Sequence, residues 1–334
     1  MGEAADIYAE QLLPKGYGFP LWLPEPDVKL GEVKIGDVGY LWGGSFCTLF
    51  NATLPASDPA NKDGVPDGFV PLEYNSNRLV RRWDALLPDG PLFSQTVKRI
   101  SIEAQAGTGA IAPVAGAQVD LAFECVRAKG GLLVLNGGGA IQEVLRPNKT
   151  FAEYIHRHHD SWVEFAKKRG HVVPRGDIIM VRGWVKASEW IVAAFKDESK
   201  YQLLQLAAQA GSIANAGLKF SVREASSTSV EHRTGASQAP APSGAGATMS
   251  AFLRKRRRTG SRKYAAPKNQ CVFLSRYKTC YRKWPWQMIR AAGSKDEEPP
   301  AGDGSGDGSM FLGADHESDF VVEDDSVRTR VRFV

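Results

Sequence analysis

Among the residues whose types could bind a metal, His156, His158, His159 and Asp160 cluster most tightly. A metal site built on a helix sets two ligands at i and i+4 and takes a further one from another element. Here His156 and His159 stand three apart and His158 points elsewhere, so the spacing completes no ligand set. The cluster reads as helix histidines of mixed face, with His158 in an apolar stripe at the core edge, and no metal ligand is assigned. Asn136-Gly137-Gly138-Gly139-Ala140, after the apolar run Leu132 to Leu135, suggests a turn that cradles phosphate on backbone N–H groups. It lacks both the GxGxxG spacing and a Walker lysine, and the following IQEVLRP ends at proline, so it reads as a glycine-rich loop holding no cofactor. Asp303, Ser305, Asp307 and Gly308 match positions 1, 3, 5 and 6 of a calcium loop, but position 12 is Ala314 where a bidentate Glu is needed. That segment reads as a solvated acidic linker. No serine or cysteine sits in a recognisable nucleophile elbow, and no catalytic residue is assigned.

The strongest local signal is basic: Arg254, Lys255, Arg256, Arg257 and Arg258, with Arg262 and Lys263 close behind. Such a block neutralises nucleic-acid phosphates, sits on anionic lipid headgroups or serves as a nuclear import address. The alternative is a solvated loop held by neighbouring acids. Residues 251–290 contain thirteen Lys or Arg and no acid, whereas 291–325 contain eleven acids and one Lys. The two stretches therefore attract one another. These seven residues are expected to bind a polyanion, whether nucleic acid, anionic lipid or an acidic protein, with the acidic tail as a mask. Self-association is compatible with this reading, and no small-molecule substrate is inferred.

The elements that would carry these groups centre on residues 150–195. Thr150 and Glu153 form a capping box, and Phe151, Tyr154, Ile155, His158, Trp162 and Phe165 recur at helical spacing. Lys167, Lys168 and Gly170 suit the C-terminal end, so a helix over about 150–169 with one buried face is predicted. Ile178 to Val185 and Trp190 to Phe195 then read as an antiparallel pair on which the helix packs. Upstream, a short helix ends at Pro14, an extended aromatic and proline segment crosses a sheet, a hairpin turns at Gly43-Gly44, and Phe69 to Tyr74 suggests a strand. Residues 97–126 and 201–230 are matching hairpins rich in small residues, with Leu121 and Phe123 or Phe220 and Val222 alternating with polar neighbours. The class is α+β: a mixed or antiparallel twisted sheet, the packed amphipathic helix, and a largely disordered C-terminal extension. The expected organisation is a folded domain over 1–230, a flexible basic linker over 231–268, a strand returning to the core within 269–290, and an acidic, mostly disordered tail over 291–334.

With 334 residues, 43% hydrophobic and 10% aromatic, the chain can bury a sizeable core. Its start lacks a basic then apolar leader and no long apolar span follows, which predicts an intracellular protein, cytoplasmic or, by the basic address, nuclear. Asp6 excludes a myristoylation motif at Gly2, and the triplets at Asn51 and Asn148 would then not meet the glycosylation machinery. Cys47, Cys125, Cys271 and Cys280 form no CxxC pair and read as reduced thiols.

GYGFPLWLPEP, GEVKIGDVGYLWGGSF with LFN, FAEYIHRHHDSWVEFA joined to RGDIIMVRGWVKASEWIVAAF, and NQCVFLSRYK together resemble an uncharacterised protein family expanded in mushroom-forming fungi. That resemblance carries no activity. The chain is also similar to the pore-forming domain of gasdermins. The shared order is an IGD-like strand start, a small-residue hairpin, a helix, a strand after the turn Arg175-Gly176-Asp177, and a second small-residue hairpin. What this implies is a protein whose hairpins, 97–126 and 201–230, lengthen into membrane strands once an inhibitory C-terminal part is removed. Pro113 interrupts the first hairpin, and the C-terminal hundred residues do not read as a helical inhibitory domain. The expected function is a non-enzymatic interaction protein working through the basic block. A gasdermin-like pore former is the alternative, and an enzyme with an unrecognised site is the third class.

Overall fold

A computed structural model describes residues 2–101, 119–146, 149–196, 202–210, 218–225, 229–235, 267–281, 320–324 and 330–332. Ile7, Tyr8 and Leu12 give α1 (Glu3–Leu12) one buried face before Pro14 ends it. The extended segment carries β1 (Phe19–Pro20), and β2 (Asp37–Trp42) turns through Gly43 and Gly44, both at positive φ, into β3 (Ser45–Asn51). Phe69 to Tyr74 forms no strand, because Pro71 removes a ladder donor and restrains Val70. Six strands follow: β4 (Leu79–Leu87), β5 (Gly90–Phe93), β6 (Val97–Ser101), β7 (Val119–Cys125), β8 (Gly130–Asn136) and β9 (Ala140–Leu145). After α2 (Lys149–Lys168) come β10 (Ile179–Ala187), β11 (Glu189–Phe195), β12 (Leu203–Ala210), β13 (Leu218–Ala225), β14 (Val230–Gly235) and β15 (Gln270–Tyr281). Within the acidic tail, β16 (Phe320–Asp324) and β17 (Arg330–Arg332) return to the fold.

Every pairing among these strands is antiparallel, in three sheets. The largest runs β17-β16-β15-β10-β2-β3. Its central strand β10 holds two neighbours on one edge, β2 at Ile179 and Met180 and β9 at Gly183 to Lys186. The switch falls at a bulge, where a Cβ on Gly183 would come within 2.7 Å of the β9 backbone. The second sheet is β14-β11-β8-β5 and the third β13-β12-β7-β6.

The expected antiparallel pair of Ile178–Val185 with Trp190–Phe195 does not form. β10 pairs with β15, β2 and β9, whereas β11 pairs with β8 and β14. Only Ser188 separates the two strands, and Lys186-Ala187-Ser188-Glu189 offers none of the Gly, Asn or Pro that a tight reversal needs. The chain therefore passes straight from one sheet into the next. β14 likewise extends the folded part to Gly235, past the expected linker start at 231; its polar residues stand exposed on an edge strand.

As predicted, α2 buries Phe151, Tyr154, Ile155, Trp162 and Phe165 against the large sheet, where the Phe50 ring lies 5.9 Å from Trp162 and 5.7 Å from Phe165. The helix starts one residue before Thr150, so Glu153 pairs with Lys149 at 3.2 Å, and position 148 lies outside the described residues. The central strands β8 and β11 of the second sheet are buried on both faces. Leu133, Leu135, Trp190, Val192 and Ala194 face α1, while Leu132, Val134, Ile191, Ala193 and Phe195 face the third sheet. Layers of helix, sheet and sheet stack on one side of the molecule, and α2 covers the large sheet on the other.

Candidate functional site

The two small-residue hairpins are one structure. β6 pairs with β7, β12 with β13, and β7 with β12 in the register Leu203↔Glu124 to Ala208↔Val119, which makes a single four-stranded antiparallel sheet. Alternation sets its inner face: Val97, Leu121, Phe123, Leu204, Leu206 and Phe220 are buried against β8 and β11. On the other face Lys98 stands opposite Glu124 in the ladder, and Ser221 is exposed. Residues 102–118 and 211–217, which join the strands of each hairpin, lie outside the described residues. The outer edges of β6 and β13 carry no partner strand among the described residues.

One buried side chain locates the joined ends of both hairpins. Asn136 donates from Nδ2 to the Phe220 carbonyl at 3.0 Å and accepts from the Phe220 N–H on Oδ1 at 2.9 Å. Phe220 stands in a ladder row with Ala208 and Val119, at the end of the described hairpin strands. Beside Asn136, Leu135 stands in a row with Trp190 and Gly235. Trp190 also donates from Nε1 to Gln270 Oε1 at 3.2 Å, and a Cβ on Gly235 would come within 2.4 Å of its ring. Gly235 and Gln270, described residues on either side of the basic block, therefore both stand against Trp190, next to the hairpin ends. Between those anchors lie Arg254, Lys255, Arg256, Arg257, Arg258, Arg262 and Lys263, all outside the described residues.

The acidic tract has its own root. Tyr281 pairs with Phe320, so the two described residues that flank the acidic tract stand side by side at the far end of β15. β15 has twelve residues. At about 3.3 Å per residue, Gln270 beyond the basic block and Tyr281 before the acidic tract stand roughly 36 Å apart.

The histidines separate by environment. His156 is exposed, His158 is half-buried against the Tyr154 ring at 4.4 Å, and His159, not His158, is the enclosed one, with Nε2 3.2 Å from Thr279 Oγ1. Burial, and then the Arg175 guanidinium, lower the His159 pKa to about 4. Arg175 is ion-paired with the neighbouring Asp160. No group of three or more His, Cys, Asp or Glu among the described residues could hold a metal ion. The triple glycine does cradle an anion, and it belongs to the chain itself. Gly138 and Gly139 donate their N–H groups to the Asp89 carboxylate at 3.0 and 2.6 Å, and both adopt positive φ. The calcium-like positions Asp303, Ser305, Asp307 and Gly308 lie outside the described residues.

A second buried polar group pins the loop before β2. Lys186 donates to Glu32 Oε2 at 2.8 Å and to the Val33 carbonyl at 2.7 Å. Nearby, Asp37 accepts from the Lys34 N–H at 2.7 Å and from Asn51 Nδ2 at 2.8 Å. Burial outweighs these contacts and pushes the Asp37 carboxyl up to about 6.

No protein-family model, curated protein or solved structure matches the chain. Among the described residues no helix is long and apolar enough to cross a membrane, which leaves spanning by strands open. The joining of the hairpins was not legible in sequence. Their shared small-residue composition was the available hint, and which strand pairs with which depended on long-range packing.

Proposed function

We propose that the chain is a non-enzymatic interaction protein that acts at anionic membrane surfaces, with the basic block as its docking element and the paired hairpins as its inserting strands. The observation that carries this reading is the coincidence at one end of the molecule: the hairpin ends and both anchors of the basic segment meet around Asn136 and Trp190. A lysine or arginine near an anionic leaflet contributes about 1 kcal/mol, so five adjacent charges suffice to hold that end against headgroups.

Chain length supports insertion. A membrane strand needs about 9 to 11 residues. Val97 to Cys125 and Leu203 to Ala225 each contain enough for two. The apolar face that now packs on β8 and β11 would turn to lipid tails, which are as apolar as the core it leaves, so the exchange costs little in apolar burial. The free edges of β6 and β13 could not remain open in hydrocarbon, and several copies would have to join edge to edge. The C-terminal strands β16 and β17 sit on β15 and not on the hairpin sheet, so under this reading they restrain the fold without covering the inserting strands.

Dye release from liposomes tests the proposal, using the full chain and a variant with a protease site placed between 300 and 310. Anionic liposomes should leak after cleavage, and neutral ones should stay intact. Anionic liposomes that stay sealed at high concentrations of the cleaved protein would sink the pore reading. Tight DNA binding without leakage would point the basic block to nucleic acid instead.

A further inference from the structure

Away from the hairpins, a cleft of about 400 Å³ opens on the large sheet, in the size range of small-molecule sites. Its floor follows from register. Arg81, Glu143 and Trp184 stand in one row across β4, β9 and β10, and Ile141 pairs with Lys186 in the next row on the same face. Trp83, two residues beyond Arg81, adds a second indole that is 62% exposed, whereas Trp184 is buried. The loop pinned by Lys186 and the half-buried ring of Tyr74 form the walls.

The lining sets Lys34, Lys186 and Lys268 beside Glu32 and Glu143, and its long side chains are held: Lys268 Nζ donates to the Gly138 carbonyl at 2.7 Å. Arg81 Nε holds Glu143 Oε2 at 2.8 Å, and Lys186 Nζ holds Glu32 Oε2 at 2.8 Å while lying 4.1 Å over the Trp184 ring. Both carboxylates are thus oriented and charge-compensated, with lone pairs left for further donors. An open indole beside paired acceptors and donors suits a molecule that is neutral, has one weakly positive C–H face and is edged with hydroxyls.

We propose that this cleft binds a neutral saccharide, stacked on Trp83 and hydrogen-bonded to Glu143 and Glu32. This inference is independent of the membrane reading and of the basic block.

Saturation-transfer NMR on the full chain with maltose, cellobiose and N,N′-diacetylchitobiose, and with adenosine monophosphate as the charged comparison, tests it. At least one disaccharide should receive saturation on its ring protons, with a Kd of about 1 mM. Trp83→Ala should weaken that binding roughly tenfold. Trp42→Ala, which removes another exposed indole outside the cleft, should leave it unchanged. Glu143→Gln should weaken binding with the thermal unfolding midpoint retained. Failure of all three disaccharides, equal affinity of Trp83→Ala and the parent chain, or binding of the nucleotide alone would each overturn the proposal.

Discussion

Asp37 and His159 are buried titratable groups that pull stability in opposite directions with pH. Asp37 has its pKa raised from 3.8 to about 6, so the folded state holds a proton that the unfolded chain releases earlier. Its contribution is complete below the unfolded value and is lost as pH rises through 6. His159 has its pKa lowered from 6.5 to about 4, so the folded state stays neutral while the unfolded chain takes up a proton. That contribution is complete above 6.5 and is lost as pH falls through 4. Each amounts to about 3 kcal/mol, so between pH 4 and 6 the two largely cancel. Chemical denaturation of single variants should separate them. Asp37→Asn should leave a stability that climbs with pH across this window, and His159→Gln one that declines. Identical, flat profiles for both variants would refute the assignment.

At the level of elements, the joint between the hairpin sheet and β8 depends on Asn136. Asn136→Ala removes both partners of the Phe220 backbone and leaves a buried N–H and C=O unpaired, at a cost of about 1–3 kcal/mol. Hydrogen exchange at β13 should accelerate far more than exchange at β10, and under the membrane reading leakage should become faster. Uniform acceleration over both strands would mean the side chain is only generic core. The joint between α2 and the large sheet depends on apolar volume instead. Trp162→Ala should destabilise by about 3–5 kcal/mol in a denaturant titration, because the Phe50 and Tyr154 rings around it close the cavity incompletely. A loss under 1 kcal/mol would show that the helix is not seated by this residue.

For the whole molecule, β15 holds Gln270, which follows the basic block of 254–263, at one end and the Tyr281–Phe320 pair, which flanks the acidic tract, at the other. Neutralising Arg254, Lys255, Arg256, Arg257 and Arg258 to Gln should abolish sedimentation with anionic vesicles at physiological salt, since about 1 kcal/mol is lost per charge. Neutralising Asp296, Glu297, Glu298, Asp303 and Asp307 should strengthen vesicle binding less than tenfold at low salt and not at all at about 1 M, where screening reaches only about 3 Å. Equal strengthening at both salt levels would exclude electrostatic competition by the tail.

Periodicity and turn chemistry were enough to read the class, both helices, the Gly43-Gly44 hairpin, the strand around Phe273 and the inner face of each small-residue hairpin, because these depend on neighbours a few residues apart. The helix stripe named Trp162 as a core residue and His158 as a core-edge one, half-buried as found, but it gave no sign of the buried His159, which Thr279 from a distant strand takes up. Strand partnership could not be read in the same way. Ile178–Val185 and Trp190–Phe195 have the alternation of a hairpin, but their partners come from remote segments that the local pattern does not encode. Composition alone identified the basic block, whereas its anchoring beside the hairpin ends emerged only once Trp190, Gly235 and Gln270 were brought together. Local pattern specifies which face of an element is apolar; only the packed fold decides which faces and edges meet.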